Sequence, residues 1–243
     1  MTVTLQPSLL DGLFDPDQPG AHEGPDDGAL PRHPADLPAA GSPRGTATPR
    51  LAQLGGSVRR RTLTRGAWID HRPSWVQGSD ELFLRLVDSV PWHEERRPMY
   101  DRVVDVPRLL KFYEEGETLP DPLLERVRDR LNEHYLPELR ERFVTAGCCF
   151  YRDGRDSVAW HGDTIGRSRT EDTMVAIVSF GAPRNLLLRP RGGGGGTLRY
   201  PLGHGDLVVM GGSCQRTWEH AIPKTTRPVG PRISIQFRPH DVR

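Results

Sequence analysis

Two short stretches of this sequence carry the chemistry. The first is Trp160-His161-Gly162-Asp163. Residues i and i+2 of a strand project from the same face, so His161 and Asp163 point together. An imidazole and a carboxylate on one face are two thirds of a 2-His-1-carboxylate set, which holds ferrous iron and leaves coordination positions open. The third ligand must come from a distant strand, and His220 is spaced for a return from the far side of a barrel. A second His-x-Asp, His204-Gly205-Asp206, has the same pattern. Gly203 and Gly205 flank its histidine, which predicts a turn and gives Asp206 a turn-and-cap role. The remaining histidines read as tail, helix or surface positions.

The second stretch is Arg232-Ile233-Ser234-Ile235-Gln236-Phe237-Arg238. Alternation puts Arg232, Ser234, Gln236 and Arg238 on one face, with Ile233, Ile235 and Phe237 on the other. Two arginines on an inward face suit a dicarboxylate, each carboxylate met by a charge-assisted fork. The alternative is the solvated outer face of an edge strand. A span of about 20 Å between the arginines exceeds the length of 2-oxoglutarate, so their arms must lean inward.

These residues need a scaffold. Residues 79–90 predict a helix with Ser79 as N-cap and Pro91 just past its end. A second helix is expected over 122–135, with Asp121 as cap, Pro122 in the first turn, and Leu124, Val127 and Leu131 on one face; Pro137 would end or kink it. Beyond residue 143 the pattern changes to strands, including the apolar run Met174–Phe180 and Leu207–Met210. Helices followed by many short strands predict an α+β fold with a sandwich or barrel core. Residues 1–56 are rich in Pro and Gly and read as a disordered tail, leaving 57–243 as the folded domain.

Apolar residues make up 35% of the chain and the net charge is +1, so bulk charge selects no partner. Lys111 and Lys224 are the only lysines among 33 basic residues, a bias toward the side chain with the carboxylate- and phosphate-matching fork. Cys148, Cys149 and Cys214 form neither a disulfide framework nor a CxxC metal pair, which fits a reducing cytoplasm. No signal peptide or membrane span is evident.

In this order the two stretches resemble the AlkB family of Fe(II)/2-oxoglutarate dioxygenases. Tyr151 through His161 and Asp163 resembles that family's Tyr-then-His-x-Asp segment. Gly205–Gly212, followed by Gln215, Trp218, His220 and Ile222-Pro223-Lys224, resembles the segment with the distal histidine. Arg232–Arg238 resembles its Arg-x-Asn-x-Thr-x-Arg signature, and Pro107-Arg108-Leu109 with Tyr113 its substrate-reaching segment. The likeness runs from about residue 91 to 239.

The resemblance implies a double-stranded β-helix (jelly roll) with N-terminal helices and a nucleotide-recognition region. It implies Fe(II), 2-oxoglutarate and O2 as cofactors, and oxidative dealkylation of bases in single- or double-stranded DNA, extending to RNA, by a monomer away from membranes. Aldehyde, succinate and CO2 are released. Arg232 and Tyr151 would hold the distal carboxylate of the oxoacid, and Arg238 the chelating one. Trp160, Tyr113, Tyr100 and His161 are candidate walls for a flipped base. Arg108, Arg167 and Arg169 are candidate phosphate contacts, with a plain solvated loop as the favoured alternative for Arg167 and Arg169. Four residues depart from the family pattern. Cys149 removes an amide donor, Ser234 and Gln236 replace Asn and Thr, and Ile165 stands where members carry an acid facing the base amine. The competing readings are the same chemistry on a protein or small molecule, and a binding module without activity.

Overall fold

The computed structural model describes residues 48–99 and 102–243. The tail expected over 1–56 lies outside the described residues as far as 47, as does Tyr100. Order begins upstream of 57. β1 (Arg50–Leu51) pairs antiparallel with a later strand, and Leu54 is buried.

β2 (Arg59–Thr62), β3 (Ala67–Arg72) and β4 (Val76–Gln77) precede α1 (Asp80–Ser89), and β4 is the partner of β1. β5 (His93–Met99) and β6 (Arg102–Tyr113) lead to α2 (Pro122–Leu139). The remaining strands are β7 (Thr145–Tyr151), β8 (Val158–His161), β9 (Val175–Gly181), β10 (Arg184–Pro190), β11 (Leu198–Leu202) and β12 (Asp206–Gly212). A short helix, α3 (Cys214–Thr217), then turns the chain into β13 (Trp218–Ile222), and β14 (Arg232–Arg238) closes it. An eight-stranded sheet runs β2-β3-β12-β9-β14-β7-β6-β5 and a four-stranded sheet runs β11-β10-β13-β8. All the pairings are antiparallel, as in a jelly roll.

The apolar run of β9 lies between β12 and β14 and is covered on both faces, as a continuous hydrophobic strand must be. Alternation along β14 divides two cores. Ile233, Ile235 and Phe237 face the helices, packed with Leu82 and Leu86 of α1 and Leu124, Val127 and Leu131 of α2. Each such side chain contributes roughly 1.5–3 kcal/mol by leaving water. Between the sheets, Ile69, Ile177, Leu186, Leu188, Val208, Met210 and Trp218 form the second core. The opposite face of β14 is buried too, so the solvated-edge alternative for that strand does not hold.

Both helices depart in detail from expectation. Asp121 caps α2, accepting from the Leu123 N–H at 2.8 Å. Pro137 does not end the helix; two residues from the terminus its missing N–H removes one bond from the last turn, and Arg140 closes it in the left-handed region. Ser79 precedes α1 but its hydroxyl does not cap, because it meets His204 Nε2 at 2.6 Å instead. No described helix is long and apolar enough to cross a membrane.

Candidate metal centre and cofactor pocket

His161 ends β8 and His220 is in the middle of β13. The two are directly opposed in the antiparallel register, with ring centroids 4.2 Å apart. The third ligand therefore comes from the adjacent strand, not from the far side of the barrel. Asp163 lies two residues past the end of β8, with Oδ1 3.5 Å from His161 Nε2. One ligand atom from each of the three residues falls within a 4.8 Å group.

Neighbouring groups fix each of these side chains. His161 Nδ1 donates to the Ala159 carbonyl at 2.9 Å, which leaves the Nε2 lone pair facing the cluster. The Asp163 N–H donates to Gln215 Oε1 at 2.9 Å. Between them the backbone of Gly162 runs so close to α3 that a Cβ there would sit 2.2 Å from the Gln215 carbonyl oxygen. Arg238 donates to Asp163 Oδ2 through Nε at 2.8 Å and reaches it again through Nη2 at 2.8 Å.

Electrostatics prepare the three for a cation. Burial and the adjacent His161 depress the His220 pKa to about 3, and burial also lowers that of His161, with Arg108 and Arg238 among the opposing charges. Burial would raise the Asp163 pKa, but Arg238 and the two imidazoles outweigh it and hold the carboxyl well below the usual carboxylate range. Two neutral imidazoles and one carboxylate are the donor set that suits ferrous iron with open positions.

A cavity of about 100 Å³ adjoins this cluster, lined by both arginines of β14 together with Tyr151, Cys149, Ser234 and Gln236. Arg232 is opposite Tyr151 in the β14–β7 register, its guanidinium 5.1 Å from the ring centroid. Its Nε donates to Ser179 Oγ at 2.9 Å, whereas its buried Nη1 has no partner among the described residues. An orphaned guanidinium N–H in a dry pocket fits a carboxylate ligand. Gly147, opposite Gln236, leaves the space those side chains occupy; a Cβ there would come within 2.9 Å of Arg238 Nη1. Cys149 Sγ donates to Gln236 Oε1 at 3.7 Å, and the Gln236 amide donates to both the carbonyl and the hydroxyl of Ser234. The departures Cys149, Ser234 and Gln236 thus satisfy one another.

Several expected site residues are elsewhere. Trp160 alternates with His161 to the opposite face, under Arg189, whose guanidinium is 4.3 Å from its ring centroid. Tyr113 packs into the core beneath the helices. Ile165 does not line the cavity; its backbone exchanges hydrogen bonds with Arg243, at 2.8 and 3.0 Å. Arg108 does line the cavity, buried in its wall. Arg167 ties Glu141, Glu171 and the His240 carbonyl together, while Arg169 is exposed. The decoy behaves as the glycines predict. Asp206 accepts from the Ser74 and Gly203 N–H groups, and His204 Nδ1 accepts from Gly181 N–H at 2.8 Å.

Sequence reasoning missed His93, which reads as a surface histidine but lines the cavity, and Glu95 beside it. It also gave Gln215 no role. The only signal for Gln215 was its position in a family-like segment.

The sequence pattern described as the 2OG-Fe(II) oxygenase superfamily matches residues 110–238. The alpha-ketoglutarate-dependent dioxygenase alkB homolog 3 of Mus musculus is 32% identical over 182 residues, covering 67% of this chain. The chain spans 62% of that relative's length. The DNA oxidative demethylase ALKBH2 of Homo sapiens is 31% identical over 182 residues, covering 66% of this chain and 68% of that protein. The solved structure of OsALKBH1 shares the fold at a TM-score of 0.50 and 14% identity, covering 75% of this chain and 100% of that one.

Proposed function

The chain belongs to the 2OG-Fe(II) oxygenase superfamily, among its AlkB-like members, and on that premise we propose that it removes alkyl groups oxidatively from damaged nucleobases in DNA, with RNA as a further substrate. The observation that carries this reading is one cavity lined both by the His161/Asp163/His220 cluster and by Arg232, whose buried Nη1 beside Tyr151 has no partner among the described residues. Fe(II) bound by the cluster would supply activation of O2 coupled to decarboxylation of 2-oxoglutarate.

The chain's own residues supply position and charge. Arg232 and Tyr151 hold the distal carboxylate of the oxoacid, and Ser234 lines its path. Arg238 and Gln215 keep Asp163 aimed at the ligand cluster. The apolar wall of Leu110, Ile177, Leu186 and Ile222 keeps the cavity dry, which strengthens each of these charged contacts. A damaged base must leave its stack to reach such a site. Three free thiols fit the reducing cytoplasm as the setting.

Anaerobic Fe(II) titration tests the metal assignment: one equivalent binds, and His161→Ala abolishes it. Release of succinate and aldehyde, stimulated by methylated single-stranded DNA, tests the substrate. Stimulation by peptides or free nucleosides alone would move the function to the protein or small-molecule reading.

A further inference from the structure

The wall of the cavity facing the cluster is built by β5 and β6, and their pairing is irregular at one place. Glu94 pairs with Leu109 and Arg96 with Asp105, so a step of two residues on β5 meets a step of four on β6. Glu95 therefore faces a bulge spanning 106–108. Bulges turn side chains out of the regular alternation and are enriched beside active sites. Both Glu95 and Arg108 line the cavity.

Arg108 is held there at a cost. It is 4% exposed, Nη1 donates to the Ser157 carbonyl at 3.0 Å, and buried Nε has no partner among the described residues. Ser157 N–H in turn donates to the Pro107 carbonyl at 2.9 Å, which pins the bulge from the other side. A buried donor without an acceptor is destabilising, and a ligand acceptor would relieve it. Burial disfavours the Arg108 charge, and the neighbouring Cys149, Tyr151 and Glu95 counter it.

We propose that Glu95 and Arg108 together read the edge of the target base, Glu95 accepting from an exocyclic amine and Arg108 Nε donating to a ring carbonyl. The inference rests on the nucleobase reading above. A donor–acceptor pair flanking the reacting nitrogen selects a definite chemistry. In 3-alkylcytosine the N4 amine and the O2 carbonyl lie on either side of the alkylated N3. In 1-alkyladenine the amine is present, but the other flank is a C–H that offers Arg108 nothing. Alkylation leaves either ring cationic, and the Glu95 carboxylate complements that charge. Glu95 thus serves both bases, while Arg108 separates them. The acidic partner expected at 165 is thus supplied by Glu95 of β5.

The test uses the full chain with Fe(II) and 2-oxoglutarate. Matched single-stranded oligonucleotides carry one 3-methylcytosine or one 1-methyladenine, and formaldehyde release is read. The kcat/KM ratio favours 3-methylcytosine by roughly 10-fold or more, the scale of one unsatisfied buried donor. Arg108→Met brings the ratio to about 1, and Glu95→Leu lowers kcat/KM for both bases by a comparable factor of roughly 10. Arg108→Lys keeps a cation but places no N–H at the Nε position, so it too loses the preference, in a chain whose native melting transition shows that it folds. A wild-type ratio of 1 or less, or a ratio indifferent to both Arg108 variants, overturns the inference alone. If neither oligonucleotide is dealkylated while a peptide is, the nucleobase reading falls and this inference falls with it.

Discussion

Arg238 grips Asp163, with Nε and Nη2 both 2.8 Å from the same carboxylate oxygen, Oδ2. The family likeness assigns Arg238 to the chelating end of the oxoacid. In the structure its Nε and Nη2 are directed at a candidate metal ligand, whose other oxygen is left facing His161. Arg238→Gln should therefore weaken Fe(II) binding by roughly 10- to 100-fold, the usual scale for a residue that orients a ligand. Titration of 2-oxoglutarate at saturating metal should show the smaller change. The reverse order of effects would return Arg238 to the oxoacid.

Arg232 has the complementary role. Its Nη1 is buried without a partner among the described residues, and its Nε is anchored on Ser179. Arg232→Met should cost about 2 kcal/mol or more of oxoacid binding, a rise of roughly 30-fold in KM for 2-oxoglutarate. Fe(II) affinity, measured separately, should change far less. Equal losses in both would place Arg232 in the scaffold and not at the carboxylate.

Gly162 is required by proximity. An added Cβ would sit 2.2 Å from the Gln215 carbonyl oxygen, which is backbone and cannot rotate away. Gly162→Ala should destabilise the chain by about 1–3 kcal/mol in urea unfolding. It should also loosen metal binding, because His161 and Asp163 flank the displaced peptide. A variant with native stability and native Fe(II) affinity would show that the two segments separate easily.

The metal-free chain should lose stability in mild acid. The pKa values of His161, His204 and His220 are all lowered by burial, that of His220 from an ordinary 6.5 to about 3. Below pH 6.5 the unfolded chain takes up protons that the folded chain refuses, so stability is full above that pH and declines as pH falls toward 3. Each such group contributes a slope of at most about 1.4 kcal/mol per pH unit. Thermal midpoints between pH 7 and 5 measure it, and His220→Gln should flatten the curve. An unchanged slope in that variant would mean that His220 is not the source.

Ile165→Asp should leave the preference between 3-methylcytosine and 1-methyladenine as it is in the parent chain, because Ile165 does not line the cavity. A gain on either base, read by formaldehyde release, would show that the 163–166 loop turns inward when substrate binds.

The legible parts of the site are those governed by alternation within one strand. Arg232, Ser234, Gln236 and Arg238 share a face as the period of two requires, and His161 reaches the cluster by the same rule. Chemistry at the two ends of β14 was harder to assign. Alternation gives a side chain's face but not its partner, and Arg238 found Asp163 first. Trp160 followed the alternation rule, yet was placed with His161 for its aromatic ring alone. Arg108 lies within an irregular pairing, where counting by twos from one end fails. Glu95 and His93 were invisible for the same reason: nothing in their local sequence says that the hairpin folds over the cavity. Helix α2 was legible except at Pro137, whose effect depends on how few turns follow it.

The opposition of His161 and His220 across β8 and β13 also determines where this gene can change length. The two imidazoles meet because His220 pairs directly with His161, beside a register shift between 220 and 222, and a single inserted codon within 218–220 would rotate His220 to the outer face. The connecting segment 223–231, which the strand pairing does not constrain, has no such reading frame. Insertions there should survive selection for Fe(II) binding in a library, whereas single-residue insertions in β13 should vanish from it.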